Sequence, residues 1–140
     1  LMVKFHRDPF LNWIPDYVDI LFGNEEEISM ITGKTGEHRD IVLEAGHLAP
    51  LVIMKTGAKG CMVNDKGNIM TVPGLKVDAI DTVGAGDSFA AGFLYGYTKG
   101  FSIKKSAEIA NHLAANIVTV EGCDYTKLDQ VDVLGRGEGK

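Results

Sequence analysis

"AIDTVGAGDSFAAGFLYGYTKG", residues 79–100, passes from a polar approach through a turn of small residues into an apolar helix pattern. Gly84, Ala85 and Gly86 strip bulk from the turn, and Asp87 sets a carboxylate in the first turn of the helix. Small residues at a helix start leave backbone amides pointing outward, and with the helix dipole these make a place for an anion. A carboxylate in that turn is a poor neighbour for a resting phosphate. It makes sense if the anion arrives during the chemistry and the carboxylate accepts a proton from the attacking group. The plain alternative is an acid matched to the helix dipole, which Asp87 alone would satisfy. The two glycines shift the balance towards a site. Further along, Phe89, Phe93, Leu94 and Tyr97 are expected on one side of the helix. Gly92 and Gly96, four apart, leave room for a second backbone.

Working outward, "LVIMKT" (51–56) is the strongest strand, uniformly apolar as in a strand covered on both faces. "YVDILFG" (17–23) is a second buried-strand pattern, and "LMVKF" (1–5) reads as a short strand broken at "RDPF". The residue before a proline avoids helical backbone, so Asp8-Pro9 predicts an extended or turn segment. "NEEEISMITG" (24–33) predicts a helix with Asn24 as N-cap, Glu27 completing a capping box and Gly33 as the stop. A further helix is expected within 36–49, ending before Pro50. "CMVND" and "IMTVP" around "DKGN" predict a hairpin. Ser102 caps a last helix with the stripe Ile103, Ala107, Ala110, Ala114 and Ile117. The polar, Gly-rich tail 135–140 is expected to fray. Strand–helix alternation with a hairpin predicts an α/β fold with a mainly parallel sheet flanked by helices.

The composition agrees. The chain has 140 residues, 45% hydrophobic and 24% charged, enough for one compact domain with a core. A net charge of −5 argues against nucleic acid as the main partner, because phosphate-backbone binding needs a basic footprint. No apolar run approaches the roughly 18 residues of a membrane-spanning helix, and Lys4, His6, Arg7 and Asp8 do not read as a signal peptide. Cys61 and Cys123 lack metal-type spacing and read as buried, reduced thiols of a cytoplasmic protein. The four histidines show no metal spacing either.

Two more segments could carry chemistry. Thr56-Gly57-Ala58-Lys59-Gly60 is a glycine loop at the end of the strongest strand, where ligands of open α/β sheets bind, and a simple β-turn is an equal alternative. Asn24 with Glu25, Glu26 and Glu27 also follows a strand. A carboxylate here could hold Mg²⁺ through water, or the group is simply a capped helix start. "ITGKTGE" is no P-loop, since Ile28 stands where the first glycine is needed, and "GAGDSF" misses the dinucleotide fingerprint at Phe89.

Together these segments resemble the ribokinase family of carbohydrate kinases, also called the PfkB family. "DTVGAGDSFAAGF" is similar to its C-terminal signature, "NEEE" to its Asn-x-x-Glu motif and "KTGAKG" to its glycine loop before a hairpin. The resemblance implies a ribokinase-like fold and ATP-dependent phosphotransfer to a hydroxymethyl group. It implies Asp87 as catalytic base, and the amides of Gly84, Ala85, Gly86 and Asp87 as the anion hole for the γ-phosphoryl. Positioning and electrostatics do most of the catalysis in such transfers. Asn24 and Glu27 become positioners of phosphate and of Mg²⁺ through water. Thr56, Gly57 and Gly60 become the nucleotide loop, and Asn111 lies where the last helix lines the adenine pocket. Asp81 and Val83 are similar to positions that hold a monovalent cation, potassium, in many members, with further ligands near Gly122.

The sequence departs from the family in two places. Lys55 precedes Thr56-Gly57 where ribokinases often have Thr-x-Gly, which puts side-chain contacts to nucleotide there in question. The Gly-rich, sugar-binding N-terminal half and the small β lid are absent, so residues 1–134 resemble the C-terminal, nucleotide-binding and catalytic half of one ribokinase-like domain. The acceptor is a sugar or a nucleoside, with "RDPF" and "AAGFLYG" tilting towards the adenosine-kinase-like branch, and a homodimer is an option for the full-length protein. Alone, the 140 residues are expected to be marginally stable, to self-associate through an unpaired "LMVKF" strand edge and exposed apolar helix faces, and to transfer no phosphate while keeping weak ATP binding. The alternative is a nucleotide-binding module without catalysis.

Overall fold

The computed structural model describes the backbone of residues 2–126 and the side chains of 6–122 and 124–126. The chain divides between Val72 and Pro73 into two compact units. The tail 135–140, and with it the end of the 1–134 stretch, lies outside the described residues.

The first unit begins with a correction. Residues Met2–Tyr17 form a helix, α1, where a strand at "LMVKF" and a break at "RDPF" were expected. Its backbone leaves helical geometry at His6 (φ −134°, ψ 32°). That kink is how Pro9 is accommodated. A proline ring collides with the carbonyl four residues back unless it sits in the first turn, and a break three residues upstream puts it there. Helical spacing brings Phe10, Ile14 and Val18 to the core, with Ile14 fully buried and the other two packed at its edge. With Met2–Phe5 helical, the strand edge expected at "LMVKF" is absent among the described residues.

Strand β1 (Ile20–Asn24) leads directly into α2 (Glu25–Thr32), then α3 (His38–Ala45) and β2 (Leu51–Lys55). A single 3₁₀ turn, Gly57–Lys59, joins β2 to β3 (Gly60–Asp65), and β4 (Asn68–Pro73) follows. The sheet order is β1-β2-β3-β4. β1 and β2 are parallel, with Asn24 opposite Lys55, whereas β2 and β3 are antiparallel, with Lys55 opposite Cys61. The α/β class and the hairpin hold; within the described residues the sheet is mixed, its parallel pairing confined to β1 and β2.

Local chemistry explains these elements. The β3–β4 turn has two successive residues at positive φ, Lys66 (50°) and Gly67 (93°), as tight hairpins require. Asn64, buried at the end of β3, donates to the Val42 carbonyl at 3.0 Å and accepts from Gly67 N–H at 2.7 Å, tying α3 to the hairpin. Gly23 is where β1 meets α2: a Cβ there would lie 2.7 Å from Cδ1 of the fully buried Ile28. At the other end of α2, Gly33 takes left-handed backbone (φ 74°) as the stop, and Arg7 Nε donates to the Met30 carbonyl at 2.7 Å. A cation at a helix C-terminus matches the dipole. The core gathers Leu21, Ile28, Ile31, Ile41, Val42, Val52 and Met54 around Ile14.

The second unit consists of an irregular approach (74–84), helix α4 (Ala85–Thr98), helix α5 (Ile103–Ile117) and a short 3₁₀ turn at Glu121–Cys123. Ser102 caps α5 by accepting from Lys105 N–H at 3.2 Å. The two helices touch backbone to backbone. A Cβ on Gly92 would lie 3.0 Å from Ala110 Cα, and one on Gly96 would lie 2.9 Å from Ser106 Cα. Of the four residues expected on one side of α4, Phe89 and Phe93 are buried, while Leu94 and Tyr97 face outward. Tyr97 stacks its ring on Phe93 with centroids 6.1 Å apart. Two glycines occupy the α5-facing positions, so backbone rather than large side chains fills that seam.

Candidate active site

Each unit holds some of the candidate residues named from the sequence. In the second unit, Gly84 precedes α4 in left-handed backbone (φ 78°, ψ −4°), a conformation that costs glycine nothing. The turn then tightens, with Ala85 N–H donating to the Thr82 carbonyl at 3.3 Å and Ser88 N–H to the Gly84 carbonyl at 2.9 Å. The amides between them, of Gly86 and Asp87, have no hydrogen-bond partner among the described residues. They are the orphan donors of a helix start, and no side chain caps them. Asp87 itself is exposed in this first turn. The carboxylate and the open amides thus stand together.

The approach to this turn is pinned from several sides. Asp81 accepts from Val83 N–H at 2.9 Å through Oδ1 and from Gly122 N–H at 3.2 Å through Oδ2. These two amides hold its carboxyl below the ordinary value of 3.8, Val83 contributing most and slight desolvation opposing. The Ile80 and Asp81 amides both donate to the Val118 carbonyl, at 2.7 and 3.1 Å. Asn111, expected beside adenine, is buried on α5 and donates Nδ2 to the Pro73 carbonyl at 3.1 Å, anchoring the start of the approach. Sequence reading missed Ser88: it is 1% exposed, and its Oγ has no hydrogen-bond partner among the described residues.

In the first unit the capping box forms as expected. Asn24 Oδ1 accepts from Glu27 N–H, and Glu27 Oε2 accepts from Asn24 N–H, both at 2.8 Å. One oxygen of Glu27 is therefore committed to the cap. Beside it an open groove of about 360 Å³ is lined by Asn24, Glu25, Glu26, Ser29, Lys55, Thr56 and Gly57. It lies at the carboxyl ends of the parallel pair β1–β2, where α/β sheets bind ligands. Gly57 takes positive φ (62°), Gly60 closes the loop at φ 104°, and Thr56 N–H donates to the Gly60 carbonyl at 2.9 Å. Glu25 Oε2 lies 2.8 Å from His38 Nε2. The structure thus brings together Asn24, Glu25, Glu26, Thr56 and Gly57, and adds Ser29 and Lys55. The β1–β2 register is the signal that would have found Lys55, since parallel pairing sets it opposite Asn24.

The oxygen donors of this groove suit Mg²⁺. Among the described residues no three acidic, histidine or cysteine side chains cluster closely enough to cage a metal. Such a donor set fits an ion held mostly by substrate phosphates and water, with carboxylate help, as Mg²⁺ prefers.

A model of the pfkB family of carbohydrate kinases matches residues 4–130. The chain belongs to this family. It is 35% identical over 118 residues to a nucleoside kinase of Methanothermobacter thermautotrophicus, covering 84% of this chain and 37% of that one. Among solved structures, adenosine kinase from Sinorhizobium meliloti superposes with a TM-score of 0.80 at 27% identity, over 85% of this chain and 37% of that one. Fructokinase from Vibrio cholerae O395, in its fructose, ADP and calcium ion bound form, gives a TM-score of 0.68 at 31% identity, over 75% of this chain and 36% of that one. This pfkB chain is ribokinase-like α/β in fold. It spans about two fifths of the length of the curated relatives it matches. No helix among the described residues is long and apolar enough to cross a membrane.

Proposed function

We propose that the native protein transfers the γ-phosphoryl group of ATP to a hydroxymethyl group of a sugar or nucleoside, residues 1–134 being the nucleotide-binding and catalytic half of a ribokinase-like domain. The observation that carries this reading is the first turn of α4, where two unpartnered amides and an exposed carboxylate stand on consecutive residues. Asp87 takes the proton of the acceptor hydroxyl as its oxygen bonds to the γ-phosphorus. The bond from that phosphorus to the bridging oxygen breaks, and ADP leaves. The Gly84–Asp87 turn receives the charge on the transferred group, with Gly86 and Asp87 supplying the open donors and Gly84 and Ala85 shaping the turn.

In the first unit, Thr56, Gly57 and Gly60 form the nucleotide loop, and Asn24 positions the phosphate chain. Glu27 steadies Mg²⁺ through water with the oxygen its cap leaves over; the ion, when bound, neutralises phosphate charge. Asp81, through the oxygen lone pairs its amide contacts leave over, and Val83 would hold a potassium ion on the approach. Asn111 acts on the adenine side by fixing the end of β4. The sugar and nucleoside kinases among the relatives support both acceptor classes.

The test is Asp87→Asn in the native protein. Turnover should fall by about 10²–10⁴, the range for a general base that acts only in the transition state, with ATP affinity within a few-fold of wild type. Near-normal turnover would remove Asp87 from the base role. ATP binding without phosphate transfer by the wild type would favour a binding module instead.

A further inference from the structure

We infer that Ser88 is a positioning residue of the turn that carries Asp87. As charge builds on the transferred phosphoryl group, the buried Ser88 hydroxyl donates to the Ala85 carbonyl and strengthens the Gly86 amide as a donor to that group. The inference rests on the kinase reading and gives a role to a side chain which that reading leaves unused.

The helix hydroxyls of this protein are unequally paired. Thr32 donates to the carbonyls of Ile28 and Ser29 at 2.8 and 3.4 Å, and Thr98 to those of Leu94 and Tyr95 at 2.8 and 3.2 Å. Ser106, fully buried on α5, donates to the Ser102 carbonyl at 3.0 Å. Ser88 is as deeply buried as Ser106, yet its Oγ is bonded to nothing among the described residues. It directly follows Asp87, and helical spacing sets it on the same side of α4 as Gly92 and Gly96, the side that packs against α5. A hydroxyl taken out of water without a partner destabilises the fold. Alanine would occupy nearly the same space and is the better helix former. Folding gains nothing from this oxygen, so its use lies in the chemistry of the turn.

The helix sets which acceptors that oxygen can reach. Helical side chains lean back towards the N-terminus, and Thr32 and Thr98 show the reach, to the carbonyls three and four residues back. For Ser88 these are the carbonyls of Ala85 and Gly84. The Gly84 carbonyl already accepts from the Ser88 N–H at 2.9 Å. The Ala85 carbonyl belongs to the same peptide unit as the Gly86 N–H, one of the two open donors at the start of α4. A hydrogen bond to a carbonyl polarises its peptide unit and makes the N–H at the other end a stronger donor. The coupling runs both ways. A phosphoryl oxygen drawing on the Gly86 N–H makes the Ala85 carbonyl a better acceptor for the hydroxyl. Charge that develops only during transfer supplies this gain only then, which fits a hydroxyl that the rest of the turn leaves uncommitted. A contact stronger in the transition state than in the ground state raises kcat and leaves KM little changed. All these groups belong to the second unit, and burial keeps water from taking the hydroxyl first.

The experiment compares wild type, Ser88→Ala and Ser88→Thr in the native protein by urea unfolding and steady-state turnover. Calorimetry is added with ATP and with ADP plus aluminium fluoride, a mimic of the transferring phosphoryl group. Ser88→Ala should be at least as stable as wild type, since it loses only an unpartnered hydroxyl. Its kcat should fall about tenfold, less than for loss of a direct donor, with KM for ATP within about twofold. Binding of ADP with aluminium fluoride should weaken by a similar factor while ATP affinity holds. Ser88→Thr adds a methyl to a close seam and should lose stability, yet it keeps the hydroxyl and should recover most of the turnover. If the threonine methyl prevents folding, the alanine variant decides alone. A Ser88→Ala protein with wild-type kcat and wild-type affinity for the mimic overturns the inference. So does one that loses stability along with turnover, because the hydroxyl would then be bonded in the resting fold. Equal loss of turnover in folded Ser88→Ala and Ser88→Thr overturns it in favour of the space at residue 88 over the hydroxyl. Near-normal turnover of Asp87→Asn would refute the base role and leave the Ser88 result to be read by itself. A wild type that neither binds ATP nor transfers phosphate refutes the kinase reading, and this inference falls with it.

Discussion

Replacing Gly96 by alanine sets two calculable effects against each other. Alanine is the better helix former by about 1 kcal/mol, and position 96 lies within α4, so propensity alone predicts stabilisation. The new methyl, however, would stand 2.9 Å from Ser106 Cα, 2.8 Å from its Oγ and 3.1 Å from its Cβ. The hydroxyl can rotate away, but the backbone carbon cannot. Restoring an ordinary carbon–carbon separation of about 3.5 Å means displacing one helix from the other by about 0.6 Å. Ala107 and Ala110, fully buried on α5, and the close approach of Gly92 to Ala110 would all be pulled apart by that motion. Overpacking of this kind costs about 1–3 kcal/mol, so after the propensity gain the expected net loss is about 0–2 kcal/mol, and about 1 kcal/mol at the middle of the range. Urea unfolding should show a lower midpoint at unchanged slope. Adding Ser106→Gly removes the crowding from Oγ and Cβ but leaves the backbone carbon of residue 106 in the way, so it should restore part of the loss and not all of it. A Gly96→Ala protein more stable than wild type would show that propensity wins and that the helices do not need this close approach.

Two further outcomes follow from hydrogen bonds at the candidate site. Glu27→Gln keeps an acceptor for the Asn24 amide, so the capping box should survive with stability within about 0.5 kcal/mol, while the Mg²⁺ concentration needed for turnover rises. An unchanged Mg²⁺ titration would remove Glu27 from the ion's surroundings. Asp81 is held in its ionised form by the Val83 and Gly122 amides, so its folded pKa is depressed. Its contribution to stability is complete above the ordinary carboxylate value and is lost as pH falls through the lower folded value. Asp81→Asn should therefore flatten the acid limb of a stability–pH curve; superimposable acid limbs for the two proteins would contradict that assignment.

The parts of the fold that were legible in sequence have short-range causes. The capping box of α2 needs only Asn24 and Glu27 at the right spacing, and Gly33 ends the helix because its backbone turns left-handed there. The close seam between α4 and α5 was visible as two glycines four apart. α1 was missed because Pro9 and Pro15 carry a strong local message against helix, and the kink at His6 that reconciles Pro9 with helical backbone has no signature of its own. The competing signal was there in Phe10, Ile14 and Val18, an apolar stripe at helical spacing whose burial outweighs the prolines. Lys55 was visible only as a departure at the glycine loop. Its place beside Asn24 depends on the register of two strands separated by two helices, a long-range pairing that local pattern does not specify.

The turn that bears Asp87 differs from an ordinary helix end in how firmly its approach is held. Stabilising charge that appears only in a transition state requires donors fixed before the substrate arrives, because donors that must first reorient give back what they gain. Loop segments are ordinarily the mobile parts of a fold. Here residues 74–84 are tied at the start by Asn111 to the Pro73 carbonyl. They are tied near the end by the Val118 carbonyl and by Asp81 bridging to Gly122. All three anchors belong to α5 or to the chain that leaves it, and the same helix seats α4 through Gly92 and Gly96. α5 therefore fixes both the approach to the turn and the helix that follows it. That accounts for a buried asparagine on a helix whose other inward residues are mostly small or apolar, and for an aspartate that spends both oxygens on backbone amides and not on a side-chain partner.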